Sequence, residues 1–195
     1  MVVTAVLLPL NPLRIINRAA SPALKLLAAQ LDATVDALRG RDAAAAQAAL
    51  DRLRANKPEM GAFGEAVQAA QEASTLSPVR WGNRQGPVGR YARAVEPVDR
   101  ASRNSGTLIR RSVTLIEDGE PIPEAMIAAV SVLAKAVRVL HREFTTADEP
   151  DEAREVALRA VRHAGDAYRA GVGFSGAVVV AQVRTTASDL LVAAG

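Results

Sequence analysis

The chain has 195 residues, of which 49% are hydrophobic, 23% charged and 3% aromatic, and its formal net charge is +3. That length suits one domain with a true core, and the absence of cysteine removes disulfides, thiolate nucleophiles and cysteine metal sites together. Arginine far outnumbers lysine and sets the pI near 9.8, a value that does not by itself point to nucleic acid.

Alanine dominates the composition, and runs of β-branched or aromatic residues of strand length are scarce. The expected class is therefore all-α. Residues 1–13 form an uncharged apolar stub closed by "LNPLR", after which Arg14, Arg18 and Lys25 arrive with no acid among them. Ser21 reads as a helix N-cap with Pro22 at the first helical position. The stripe Leu24, Leu27, Leu31, Val35, Leu38 gives that helix one apolar face, and Gly40 ends it. Asp42 caps a second helix, and Pro58 opens a third that runs to about Leu76. "LSPVRWGNRQGPVG" is the main loop, crowded with Pro and Gly. A long helix follows from about Val88 to Glu117, with Pro97 predicted to kink or split it near Glu96.

"EDGEPIP" is the next turn, and Pro123 opens a helix whose stripe is Met126, Val130, Leu133, Val137, Leu140, Phe144. Asp148 reads as the cap of the following helix, with acids in its first turn. "GVGFSG" breaks that helix, and the last one runs from about Ser175 to Val192 with Val179, Val183, Thr186 and Leu190 on one side. The sum is an antiparallel bundle of six to seven helices forming a single domain over residues 14–195. No fixed-period repeat is present.

Few residues offer chemistry. Gly171, Gly173 and Gly176 match the spacing of a dinucleotide fingerprint, but a helix precedes them where a strand is required. They read instead as a C-terminal glycine cap followed by a Ser175 N-cap. His141 and His163 lie in helices with Glu143 and Asp166 nearby in sequence, short of the three or four ligands that zinc takes. Neither a metal set nor a nucleophile-elbow motif appears, so no enzyme, metal or cofactor is expected. Arg80, Arg84, Arg90, Arg93, Arg100, Arg103, Arg110 and Arg111 form a run opposed in sequence only by Glu96 and Asp99. Such a run is a solvated helix face, a patch for anionic lipid headgroups, or a carboxylate site. Arg80, Arg84, Arg90 and Arg93 are the candidates for binding an organic acid. Nucleic acid is disfavoured, because only Trp81 and Tyr91 could stack on bases there.

The stub is the most informative feature. Its charge follows the apolar run, the reverse of a signal peptide. A membrane helix leaving the bilayer on the cytoplasmic side has this form, with flanking basic residues on that side; the alternative is a segment docked on the bundle. Four stretches carry a family resemblance. They are "TAVLLPLNPLRIINRAASPALKLLAAQLDATVDALRGRDAAAAQAALDRLRA", "LSPVRWGNRQGPVGRYARAVEPVDRASRNSGTLIRR", "DGEPIPEAMIAAVSVLAKAVRVL" and "AVVVAQVRTTASDLL". Together they resemble the C-terminal cytosolic part of actinobacterial membrane proteins of the fusaric-acid-resistance-type, or aromatic acid exporter, family.

The resemblance implies a cytosolic helical domain beneath a transporter of organic acids, on the cytoplasmic face of the plasma membrane. Its role would be in regulation, assembly or substrate gating. Arg14, Arg18 and Lys25 are then the juxtamembrane basic residues. The implied partners are the transmembrane domain of the same parent protein, anionic lipid headgroups, an organic acid and a second copy of the chain. No catalytic or binding residue transfers from the family. The rival reading is a stand-alone interaction module that forms a homo-oligomer through an alanine-rich face.

Overall fold

The computed structural model describes residues 12–55, 57–75, 87–146 and 151–195. Among these, every regular element is an α-helix: α1 Pro12–Gly40, α2 Ala43–Arg54, α3 Lys57–Thr75, α4 Pro87–Glu117, α5 Glu124–Thr146, α6 Asp151–Arg169 and α7 Phe174–Ala194. The result is an all-α bundle. The first eleven residues of the stub, the loop around Trp81, and Asp148 lie outside the described residues.

Two expectations at prolines differ from the sequence reading, while α1 ends at Gly40 as that reading has it. Helix α1 does not start at Ser21. It begins at Pro12 and runs through Pro22 without a break. The Pro22 ring sits on the exposed side, where water can satisfy the carbonyl it strands, while Ile16, Ala20, Ala23 and Leu24 are buried on the other side. Core packing on both sides of the proline thus overrides its breaking tendency. Helix α4 likewise continues through Pro97 as one element and is not split. At the end of α1 it is Arg41, not Gly40, that takes the left-handed conformation, with φ 50°. Asp42 does cap α2, its carboxylate accepting from the Ala45 N–H at 2.8 Å.

Helix α1 lies against α5, α3, α2 and α4, and α4 lies against α7, α2 and α3; α6 fills the space beside α5 and α7. The stripe of α5 is wholly buried, as are Val179, Val183, Thr186 and Leu190 of α7. The buried seam of α6 is Ala153, Val156, Ala157, Ala160, Ala164 and Ala167. Side chains this small let α5 and α7 approach the α6 backbone closely. Helix α7 alone among the described residues has the length and apolar composition to cross a bilayer. Half of that stretch is buried in the bundle, and its Asp189 is tied to Arg100 of α4 at 3.0 Å.

Glutamates reach across to cap two helix starts. At the turn end, Glu120 accepts from the N–H groups of Ser175 and Gly176, both at 2.9 Å, so the cap of α7 comes from the α4–α5 turn and not from Ser175. A Cβ on Gly173 would lie 2.5 Å from the Glu120 carboxylate, so only glycine leaves room for this contact. Burial pushes the Glu120 carboxyl up, but these hydrogen bonds together hold it below the ordinary range. The anion at this glycine-marked helix start is thus the chain's own side chain. Arg41 closes the same end by donating to the Glu120 carbonyl at 3.4 Å.

At the other end Glu143 of α5 is buried and accepts from the Ala153 N–H of α6 at 3.1 Å, leaving Oε2 without a partner. Burial is the larger influence and raises the Glu143 carboxyl above 4.5, against the lowering effect of the Ala153 and Glu152 N–H groups. The folded protein holds that proton more tightly than the unfolded chain. This contribution to stability is complete below 4.5 and is lost as pH rises through the folded value. Glu143→Gln keeps an acceptor for Ala153 without a charge. Chemical denaturation at pH 7 is expected to find it more stable than wild type, with the gap closing as pH falls towards 4.5. A variant less stable at pH 7 contradicts this account of the contact.

Candidate functional site

Three of the six aromatic residues (Phe, Tyr and Trp together) meet at one point. Tyr91 of α4 stands edge-on to Phe63 of α3, with ring centroids 6.5 Å apart, and lies 4.9 Å from Phe144 of α5. Its hydroxyl lies in hydrogen-bond contact with Asn17 Oδ1 of α1 and with the Phe144 carbonyl oxygen, and its one proton goes to either of these acceptors. Burial pushes the phenol up to about 12, with Arg90 pulling the other way, so it stays a donor at physiological pH.

This contact decides where the basic residues fall. The start of α4, with Arg90 half-buried and Arg93 exposed, comes beside the start of α1, with Arg14 and Arg18 exposed. Lys25 is exposed further along α1. Two groups of arginines and lysine that are far apart in sequence therefore share one end of the bundle. Arg80 and Arg84 lie outside the described residues.

The rest of the arginine run is engaged within the fold. Arg100 binds Glu96 at 2.6 Å and Asp189 at 3.0 Å, and Asn104 donates to the same Asp189 at 2.7 Å. Arg103 pairs with Asp99. Arg110 donates to Thr107 at 3.3 Å, and Arg111 lies 5.9 Å over the exposed Phe174 ring. Asp189 is thus a third acid opposing the run, invisible in sequence because α7 supplies it. Among the described residues the histidines find no shared carboxylate. His141 Nε2 is 3.0 Å from Ser21 Oγ, and its acids nearby in sequence are occupied elsewhere: Glu143 on α6, and Asp166, near His163, on Arg169. Burial first, then Lys25, lowers His141 below its ordinary 6.5, so it is neutral at pH 7.

A groove of about 850 Å³ opens where the α2–α3 pair crosses α4. Leu50, Leu53, Met60 and Val95 form its apolar floor. Arg54, Lys57, Arg103 and Arg110 rim it, against the acids Glu96 and Asp99. Apolar surface bordered by guanidinium and ammonium groups suits a small amphipathic anion. The sequence candidates for an anion are Arg80, Arg84, Arg90 and Arg93; Arg54 and Lys57, at the α2–α3 junction, are not among them. The available signal was glycine. Gly61, Gly64 and Gly106 stand inside helices and line the groove, whereas the other helix-interior glycines among the described residues, Gly89, Gly165 and Gly176, lie elsewhere. A Cβ at Gly61 would meet nothing within 4 Å, and at Gly64 and Gly106 only ordinary contacts at 3.7 and 3.9 Å. Packing within the chain does not demand these glycines; they keep the groove deep.

The chain is 29% identical over 191 residues to an uncharacterized protein of Corynebacterium glutamicum. The match covers 95% of this chain and 49% of the relative, so the chain spans about half the length of the curated relative it matches. No family model matches it, and no solved structure does so.

Glycine inside a helix costs about 0.5–1 kcal/mol relative to alanine. With open space around the Gly61 Cβ position, Gly61→Ala is expected to raise unfolding free energy by about that amount. Denaturant midpoints check it. A loss of stability means the site is tighter than the groove geometry describes.

Proposed function

We propose that the chain is a cytosolic helical domain of an exporter-like integral membrane protein, and that it serves transport by binding an organic acid rather than by chemistry. The observation that carries this reading is the groove between α2, α3 and α4, with its apolar floor and its rim of Arg54, Lys57, Arg103 and Arg110. A floor of Leu and Met receives a ring or alkyl body, and the rim receives the carboxylate. Asp51 and Asp99 hold Arg54 and Arg103 in place without burying them, so a bound carboxylate adds to their partners and displaces none of the core.

The helices around the groove also provide a route from binding to a membrane partner. Helix α4 runs from the groove to the Tyr91 junction, where it meets the start of α1, and the apolar stub leads into that helix. A ligand that shifts α3 against α4 changes the packing of Phe63 on Tyr91. The resemblance to aromatic acid exporters supports an aromatic carboxylate as the ligand class, and a role in gating or regulation follows from the position of the groove.

Isothermal titration of the 195-residue chain with benzoate tests the proposal. Saturable binding is expected. Arg54→Glu and Lys57→Glu should each weaken it about tenfold or more, since a charge-assisted contact contributes about 1.5–3 kcal/mol. Gly64→Leu, which fills the groove, should abolish it. Absence of saturable heat, or binding indifferent to all three substitutions, overturns the assignment.

A further inference from the structure

We infer that the groove between α2, α3 and α4 takes a rigid aromatic dicarboxylate, with one carboxylate at Lys57 and the other at Arg110. This rests on the groove being the ligand site, and narrows the organic acid to one with two charged ends. The rim cations are not equivalent. Arg54 binds Asp51 at 3.4 Å, and Arg103 binds Asp99. Glu96, the other acid of the groove, is held by Arg100 at 2.6 Å. Among the described residues no acid pairs with Lys57 or with Arg110, whose guanidinium donates to the Thr107 hydroxyl at 3.3 Å. Both side chains are exposed on the rim. The groove therefore offers two cations without an acid, while its own acids are engaged.

Contacts across the groove fix how far apart these two cations stand. Leu53 Cδ2 lies 3.9 Å from the Cβ position of Gly106, and Val95 Cγ1 lies 3.7 Å from that of Gly64. Residue numbers rise along α2 and α3 as they fall along α4, so the two sides run antiparallel. Lys57 falls between Leu53 and Gly64 in the chain and comes level with Ser102, which lies between Gly106 and Val95 and also lines the groove. Arg110 stands about two turns, or about 12 Å, further along α4. The apolar floor runs between them. Leu50 and Leu53 form one side of it, and Gly106, with no side chain, leaves the other side open to a flat ring.

Size and charge favour the same ligand. A groove of about 850 Å³ has room for a drug-sized molecule, and a single-ring acid leaves most of it empty. A compact anion meets only one of the two cations. A rigid body that carries both carboxylates loses its freedom of motion once, and its second contact then forms at high effective concentration. An ammonium group in place of the second carboxylate meets Lys57 or Arg110 and is repelled, because Glu96 and Asp99 are held by Arg100 and Arg103. Guanidinium pairs with carboxylate through two parallel N–H contacts, whereas ammonium acts as a point charge. The Arg110 end is therefore the more selective for a planar carboxylate.

Calorimetric titration of the 195-residue chain with two biphenyl acids tests it, with benzoate as the reference. One is the monocarboxylate, and the other carries carboxylates at both far para positions. The dicarboxylate is expected to bind about tenfold or more tightly than the monocarboxylate, well beyond the roughly twofold that two equivalent ends give by statistics. Arg110→Gln and Lys57→Gln should each bring that ratio down to about twofold. Arg110→Lys keeps the charge and should recover most of the ratio. Arg39→Gln removes one charge at the turn end and should leave the ratio within about twofold of wild type. Circular dichroism checks that each variant is folded. Equal affinity for the two biphenyl acids, or a ratio that survives Arg110→Gln, overturns the two-ended site. If benzoate still binds in that case, the groove stands as a site for monoacids. If none of the three acids gives saturable heat, the groove reading falls and the two-ended site falls with it.

Discussion

One tyrosine organises this domain. Most of its buried side chains are alanine, valine and leucine, which hold helices together by close approach but do little to fix their rotation or register. Tyr91 supplies that information. Its ring packs between Phe63 and Phe144, and its hydroxyl contacts Asn17 and the Phe144 carbonyl, so α1, α3, α4 and α5 are registered by a single residue. Aromatic rings bury large area and prefer defined angles, and a buried hydroxyl tolerates only positions that satisfy it. The chain has few aromatics, and it spends three of them here.

The groove and the basic end of the bundle both depend on that junction. The groove exists because α2 and α3 lie across α4, with Phe63 of α3 fixed against the α4 ring. The basic end exists because the same ring brings the start of α4 to the start of α1. The opposite end is held by charge. Glu120 caps α7 from the α4–α5 turn while Arg41 binds that turn from the α1–α2 connection. Between the two ends, the Arg100–Asp189–Asn104 cluster ties α4 to α7. Arginine is therefore partly structural here, and only some of the sequence run is left to face a ligand.

Much of the fold was legible from periodicity. The α5 stripe, the α7 stripe and the Asp42 cap are local features, set by spacing within one helix, and the structure reproduces them. Errors arose where distant residues decide. Pro22 read as the first residue of a helix and Pro97 as a kink or a split; the sequence does not show the core packed along both halves of α1 and α4, which carries each helix through its proline. Ser175 looked like a cap because Glu120, 55 residues earlier, was not visible as its competitor. The same limit applies to the sites. A cluster of arginines can be read from sequence, but which of them are consumed by Asp189, Glu96 or Asp99 cannot, because pairing is a tertiary property. Arg54 and Lys57 gain meaning only when α4 lies opposite them.

The central claim is that Tyr91 holds two basic helix starts side by side. A distance measurement between nitroxide labels at Arg18→Cys and Arg93→Cys tests it most directly, and the chain has no native cysteine to interfere. Helix α4 has 31 residues, about 46 Å from end to end. A single narrow distribution below about 25 Å is the predicted result, roughly half that length. A distribution centred near the full helix length, or one spread across the whole range, would contradict the account.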